Sequence, residues 1–111
     1  MTQSTDSAAG KALFCPGQLV RHVLFPYRGV VVDLDATFQL TDEWYEQMAR
    51  SRPPRDQPWY HVLVHEASHM TYVAQRNLAP DTSGTRIVHP MLDHFFSGFR
   101  DGRYVADQTL N

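Results

Sequence analysis

The sequence predicts a small, mainly β domain with one or two short helical insertions. Three observations carry that reading. Val30-Val31-Val32 sets three β-branched residues in a row, the composition that fits a pleated, buried strand. Trp59 to Val64 and Met70 to Gln75 are rich in aromatic and β-branched residues, and five residues, His65 to His69, separate them at hairpin length. Turn signals recur between such runs at Pro16-Gly17, Ser83-Gly84 and Asp101-Gly102, and no internal repeat or low-complexity segment interrupts them.

The elements follow in order. Residues 1–11 read as a flexible tail, because small and polar residues dominate and periodicity is absent. Gln18 to Leu24 alternates, with Leu19, Arg21 and Val23 on one face and Val20 and His22 on the other, a strand buried on both sides. Phe25-Pro26-Tyr27-Arg28-Gly29 turns the chain into the valine strand, which ends in Asp33 and Asp35. Thr41 is suited to cap a helix whose first turn holds Asp42 and Glu43. Leu40 and Tyr45 have the spacing of a hydrophobic staple, Trp44 and Met48 form an i,i+4 pair, and the helix must stop before Pro53-Pro54. After the hairpin, Asn77 to Asp81 reads as a turn and Ile87-Val88 as a short strand. His89-Pro90 reads as a cap and first helical position, with Leu92, Phe95, Phe96 and Phe99 on one helical face. Asp101-Gly102 then turns into Tyr104-Val105, and residues 107–111 form a C-terminal tail. The folded domain is expected over residues 12–106.

Composition narrows the function classes. The chain has 111 residues, 42% of them hydrophobic, too apolar for a disordered chain and enough for one small core. Ten basic residues against twelve acidic ones leave a net charge of −2, with an isoelectric point of about 6.3. Domains held to nucleic acid mainly by bulk charge are far more basic, although a local basic patch stays open. A single cysteine, Cys15, excludes an intramolecular disulfide. No apolar leader and no run of about 18 apolar residues is visible, so a cytoplasmic protein without a membrane span is expected.

One motif suggests catalysis. His65-Glu66-Ala67-Ser68-His69 matches H-E-x-x-H, the zinc signature of metalloproteases. That chemistry needs a helix, since only i,i+4 spacing on one helical face aims both imidazoles at one zinc. The flanking strand-formers make these residues a hairpin tip instead, and the zinc-hydrolase reading is set aside as a chance match. Cys15 has no partner that would mark it as a nucleophile, and no phosphate loop, nucleophile elbow or carboxylate dyad stands out. The expectation is no enzyme, no metal and no cofactor.

Basic and aromatic residues support binding more readily. Between Cys15 and Val32 lie Arg21 and Arg28 and no acid. Arg28 adjoins Tyr27 in a turn, where a guanidinium and a ring can face a phosphate or a stacked base. Arg50, Arg52 and Arg55 add a second cluster. Both clusters suit solvated faces equally well.

Several runs together resemble one family. Phe14-Cys15-Pro16-Gly17-Gln18-Leu19-Val20-Arg21-His22, then Leu24 through Asp33, is similar to the opening of the HspQ heat shock family, also called the YccV-like or hemimethylated DNA-binding domain family. Asp56 through Leu63, Tyr72-Val73-Ala74 and Asn77-Leu78 resemble its middle blocks. His89-Pro90 through Phe96 and Phe99 through Tyr104 resemble its C-terminal signature. The likeness runs from Phe14 to Val105, in order and with compatible spacing.

The resemblance implies a small, strongly bent SH3-like β-barrel. It also implies a bacterial, cytosolic heat shock protein that self-associates, with a trimer as the suggested size. Two roles come with it: promoting degradation of particular proteins as an adaptor or specificity enhancer for Lon protease, and binding hemimethylated DNA near a replication origin. The chain departs from the family at the hairpin tip, where members carry acidic residues and this chain has His65, Glu66 and His69.

Reading a single N6-methyl group requires phosphate contacts for position and an apolar pocket for the methyl. Arg21, Arg28 and Arg55 are the candidates for the first task, and Tyr27, Trp59 and Tyr60 for the second. A protease adaptor needs only an exposed patch or tail, which residues 1–10, the last residues or the Phe95-Phe96-Phe99 face offer. The charge of −2 ranks the degradation role first, with Lon protease or its substrates as partners, and DNA second.

Overall fold

The computed structural model describes residues 10–106. Strands β1 (Leu19–His22), β2 (Arg28–Asp35), β3 (Trp59–Val64), β4 (Met70–Ala74) and β5 (Leu78–Pro80) form one antiparallel sheet in the order β4-β3-β2-β1-β5. Helix α1 (Asp42–Met48) bridges β2 and β3, and α2 (Leu92–Phe95) precedes a separate hairpin of β6 (Gly98–Arg100) and β7 (Arg103–Val105).

The double-sided burial of the first two strands is what organises the fold. Val20, Val31, Tyr60, Val62, Val73 and Leu78, drawn from all five strands, pack with Phe14 into one core inside the bend of the sheet. Leu19, Val30 and Leu63 are cross-strand neighbours on the opposite face and pack with Ile87 and Tyr104 in a second core. Each fully buried Val or Leu contributes about 1.5–3 kcal/mol, so β1 and β2 are anchored twice. Val30 and Val31 face opposite cores by simple alternation, and a register shift between Val31 and Asp33 supplies a bulge, which bends and twists a strand and puts Leu34 on the same core as Val31. The result is mainly β and small-barrel-like, with β4 and β5 as the edges of the sheet.

Gly17 explains how the β6–β7 hairpin joins this sheet. Its φ is +95°, and a Cβ there would lie 2.2 Å from the Tyr104 carbonyl oxygen. The close approach is used directly: Gly17 N–H donates to Val31 O and Tyr104 N–H donates to Gly17 O, both at 2.8 Å. Asp101 and Gly102, at φ +55° and +79°, make the two-residue turn between β6 and β7 that the Asp-Gly pair predicts.

Helix α1 begins as expected, with Thr41 Oγ1 accepting from Trp44 N–H at 3.0 Å. It docks through Tyr45 and Ala49 onto Trp59 and Ala74, a third apolar cluster. The ring that packs on Tyr45 from ahead of the cap is Phe38, at 5.5 Å, while Leu40 stays largely exposed.

Helix α2 starts two residues later than the His89-Pro90 pair predicts, with Met91 at its N-cap and Leu92 as its first residue, and the second half of the chain departs from expectation in three further places. Leu78–Pro80, read as a turn, is strand β5, paired with β1 through Val20↔Pro80, Arg21↔Ala79 and His22↔Leu78. An edge position tolerates the proline, which has no N–H to donate. Ile87 and Val88 form no strand; Ile87 is instead pinned by Tyr104, its N–H donating to Tyr104 Oη at 2.9 Å and its carbonyl accepting from the same hydroxyl at 3.2 Å. Helix α2 stops at Phe95, and Phe99 lies on strand β6. Leu92, Phe95, Phe96 and Phe99 nevertheless all pack against the second core, so the aromatic stripe marks a packing surface shared by two kinds of element.

Candidate interaction surface

The sequence-nominated residues fall into separate roles. Arg28 is a latch. Its Nε donates to Asp81 Oδ2 at 2.9 Å, Nη1 to Arg86 O at 3.2 Å, and Nη2 to Thr85 O. The pair is largely covered, with side-chain exposures of 20% for Arg28 and 11% for Asp81. Burial pushes the Asp81 carboxyl up, but hydrogen bonds from Ser83 and Arg28 and the Arg28 charge more than reverse this, holding its pKa below the ordinary aspartate value. Arg55 lies over the Phe38 and Tyr45 rings, at 4.8 and 4.7 Å, and pairs with Asp42 at 2.5 Å. Arg52 pairs with Glu46 at 2.8 Å. Arg21 is exposed on β1, directly across from Arg28 in register, and has no ion-pair partner among the described residues.

The three aromatic candidates divide likewise. Trp59 and Tyr60 are 1% and 0% exposed, so the expectation that they present a face to a partner gives way to core roles. Trp59 stacks on Tyr72, with ring centroids 5.2 Å apart, and donates Nε1–H to Pro54 O at 3.1 Å. The Tyr60 hydroxyl accepts from Leu13 and Phe14 N–H, at 3.1 and 3.3 Å, and donates to Gln75 Oε1. Tyr60 thereby ties the segment leading into β1 to the end of β4. Tyr27 alone stays half-exposed, its hydroxyl bonded to Thr71 Oγ1 at 3.0 Å. Burial raises its pKa, and the Thr71 hydrogen bond opposes the shift.

The H-E-x-x-H residues form the β3–β4 hairpin tip and no helix. His65 Nδ1 accepts from Val88 N–H at 2.9 Å, Glu66 N–H donates to Val88 O at 2.8 Å, and His89 Nε2 bonds His69 O at 2.9 Å. The tip is thus held by the segment before α2, with His65 spent on a backbone bond. Among the described residues no group of three or more His, Cys, Asp or Glu side chains is placed to hold a metal.

What sequence reasoning missed is a groove of about 590 Å³ along β4. All five residues of β4 line it. Successive strand residues point to opposite faces, so the groove follows the strand's outer edge and wraps onto both faces. Leu24, Phe25 and Tyr27 of the β1–β2 turn wall one side, and Leu40, Trp44 and Met48 wall the other. Phe25 is 58% and Met48 62% exposed. Among the described residues Arg50 is the only lysine or arginine in its lining, which includes no aspartate or glutamate. His22 shapes the first wall: its Nδ1 accepts from Leu24 and Phe25 N–H, at 3.0 and 3.2 Å, and burial lowers its pKa. On the second wall Tyr72 donates to Asp35 Oδ2 at 2.7 Å, and burial followed by that hydrogen bond raises its pKa strongly. The signal in the sequence was a set of large apolar residues in turns and at a helix end, which periodicity does not flag.

Comparison with protein families bears on the whole domain. The family described as hemimethylated DNA-binding protein YccV-like matches residues 12–103. The chain belongs to the YccV-like family. The match spans β1 to β6 and both helices, so the latch, the Tyr60 tie and the β4 groove all lie within the YccV-like domain. Residues 1–9 and 107–111, which hold most of the two expected tails, lie outside the described residues. Among the described residues no helix is long and apolar enough to cross a membrane.

Proposed function

We propose that this YccV-like protein regulates protein degradation during stress, as an adaptor or specificity enhancer for Lon protease that binds protein partners and performs no chemistry. The observation that carries the reading is the β4 groove, an apolar concavity with exposed Phe25 and Met48 on its walls and, among the described residues, no carboxylate in its lining. Exposed apolar surface of this kind is a common mark of protein-contact sites. The arginines are arranged less favourably for a phosphate backbone, because Arg28, Arg52 and Arg55 each already hold a carboxylate. Cytosolic location and self-association belong to the same proposal. Reconstituted degradation of a model substrate by Lon, with and without this chain, tests it. Faster turnover that Phe25→Asp abolishes is expected, and unchanged turnover with the wild-type chain refutes it.

Hemimethylated DNA binding is the second reading, favoured by the family description and by exposed Arg21 beside the Tyr27–Arg28 turn. Its affinity would be weak and fall with salt, and Arg21→Ala would lower the slope of log K against log salt by about 0.9 for one lost phosphate contact. Equal affinity at low and moderate salt refutes phosphate contact.

A further inference from the structure

We infer that the β4 groove binds an extended apolar peptide by strand addition to the open edge of β4. The inference rests on the adaptor reading for its biological context and on the edge geometry for its chemistry. Among the described residues β4 pairs only with β3. The ladder is bracketed by Val64 N–H to His69 O and Gln75 N–H to Pro58 O. Alternation between these bonds turns the N–H and C=O of Thr71 and Val73 toward β3, and those of Met70 and Tyr72 outward. Among the described residues these outward groups have no backbone partner. The residues that carry them, Met70 and Tyr72, line the groove between its apolar walls. Tyr27 reaches Thr71 from one side, and Trp44 packs on Tyr72 from the other, with centroids 5.7 Å apart.

This geometry selects its occupant. Paired main-chain donors and acceptors at strand spacing are matched by a polypeptide, and an added strand sends alternate side chains to opposite faces. One row would meet Leu24 and Phe25 and the other Trp44 and Met48, so both rows must be apolar. Such a segment is a core strand exposed by unfolding. The lone cation in the lining, Arg50, favours an acidic residue or free carboxylate at the end of the peptide near the C-terminus of α1.

The test uses a fluorescein-labelled heptapeptide alternating valine and phenylalanine with aspartate at both ends, beside the same peptide N-methylated at alternate core residues in either register. Anisotropy titration of the full-length chain should show saturable binding. N-methylation in one of the two registers should weaken it roughly tenfold or more, the loss expected for a missing main-chain hydrogen bond and an intruding methyl. Phe25→Asp and Met48→Asp, both at exposed positions, should weaken it with unchanged melting temperatures. Equal binding of all three peptides overturns strand addition, as does absence of binding at millimolar peptide. Sedimentation in which either variant dissociates an oligomer, with no peptide binding to the wild type, assigns the edge to a second copy and also overturns it. Peptide binding as expected with unchanged Lon turnover refutes the adaptor reading alone.

Discussion

Replacing Arg28 by alanine separates a structural latch from a nucleic-acid contact. The guanidinium holds one carboxylate and two carbonyls, and hydrogen bonds to charged groups contribute about 1.5–3 kcal/mol each when sheltered. A fifth of the Arg28 side chain remains exposed, so water replaces part of what is lost, and a cost of about 2–3 kcal/mol at neutral pH follows from the same range. For a domain of this size that lowers the melting temperature by roughly 8–20 °C. The pH dependence provides a second signature. The Asp81 pKa is depressed in the folded state, so its stabilisation is present above the unfolded value near 3.9 and is lost as pH falls through the folded value. The gap between wild type and Arg28→Ala should therefore be full at pH 7 and narrow below about pH 4. Thermal melts of both proteins at the two pH values, with Asp81→Asn completing a double-mutant cycle, measure it. A variant that melts with the wild type at pH 7 but loses affinity for hemimethylated duplex would refute the latch and return Arg28 to the DNA surface.

Other consequences are equally direct. Tyr60→Phe removes the acceptor for the buried Phe14 N–H and should cost about 1–3 kcal/mol by chemical denaturation, the penalty for a buried unsatisfied donor. A smaller change would mean that the segment before β1 is not tied through Tyr60. His22 is neutral where it accepts from Leu24 and Phe25 N–H, and its folded pKa is lowered by burial. The stability it contributes is thus present above the unfolded pKa near 6.5 and lost as pH falls through the folded value. Amide protection factors at Leu24 and Phe25, taken relative to the intrinsic exchange rate at each pH, should fall on acidification through that window and stay flat in His22→Ala. Gly29→Ala would place a Cβ 2.3 Å from Leu63 O and 2.6 Å from Val62 Cγ1, and the overpacking should cost about 1–3 kcal/mol in denaturant titrations.

The local devices of this protein are legible in its residues. The valine run predicts β2, the Thr41-Asp42-Glu43 cap predicts the start of α1, and the five residues between two strand-forming runs predict a hairpin tip where H-E-x-x-H is met. These depend on neighbours in sequence, through side-chain bulk, capping geometry and turn length. Burial of β1 on both faces was legible only in part: Leu19 and Val20 are buried on opposite faces, whereas Arg21 and Val23, which share the face of Leu19, are exposed. What only the tertiary structure decides are contacts across long separations. Leu78–Pro80 becomes a strand because β1 offers an edge 56 residues or more away in sequence, at His22, and no propensity within Leu78-Ala79-Pro80 records that offer. Phe99 joins the aromatic stripe from a strand rather than a helix, because burial against the second core constrains position and not backbone type. The arginines look alike in sequence, yet Asp81 engages Arg28 while Arg21 opposite is left without a described partner. The groove follows the same principle. Leu24, Phe25, Trp44 and Met48 are scattered apolar residues until folding sets them on either side of the β4 edge, where a surface becomes a binding feature only through the geometry that gathers it.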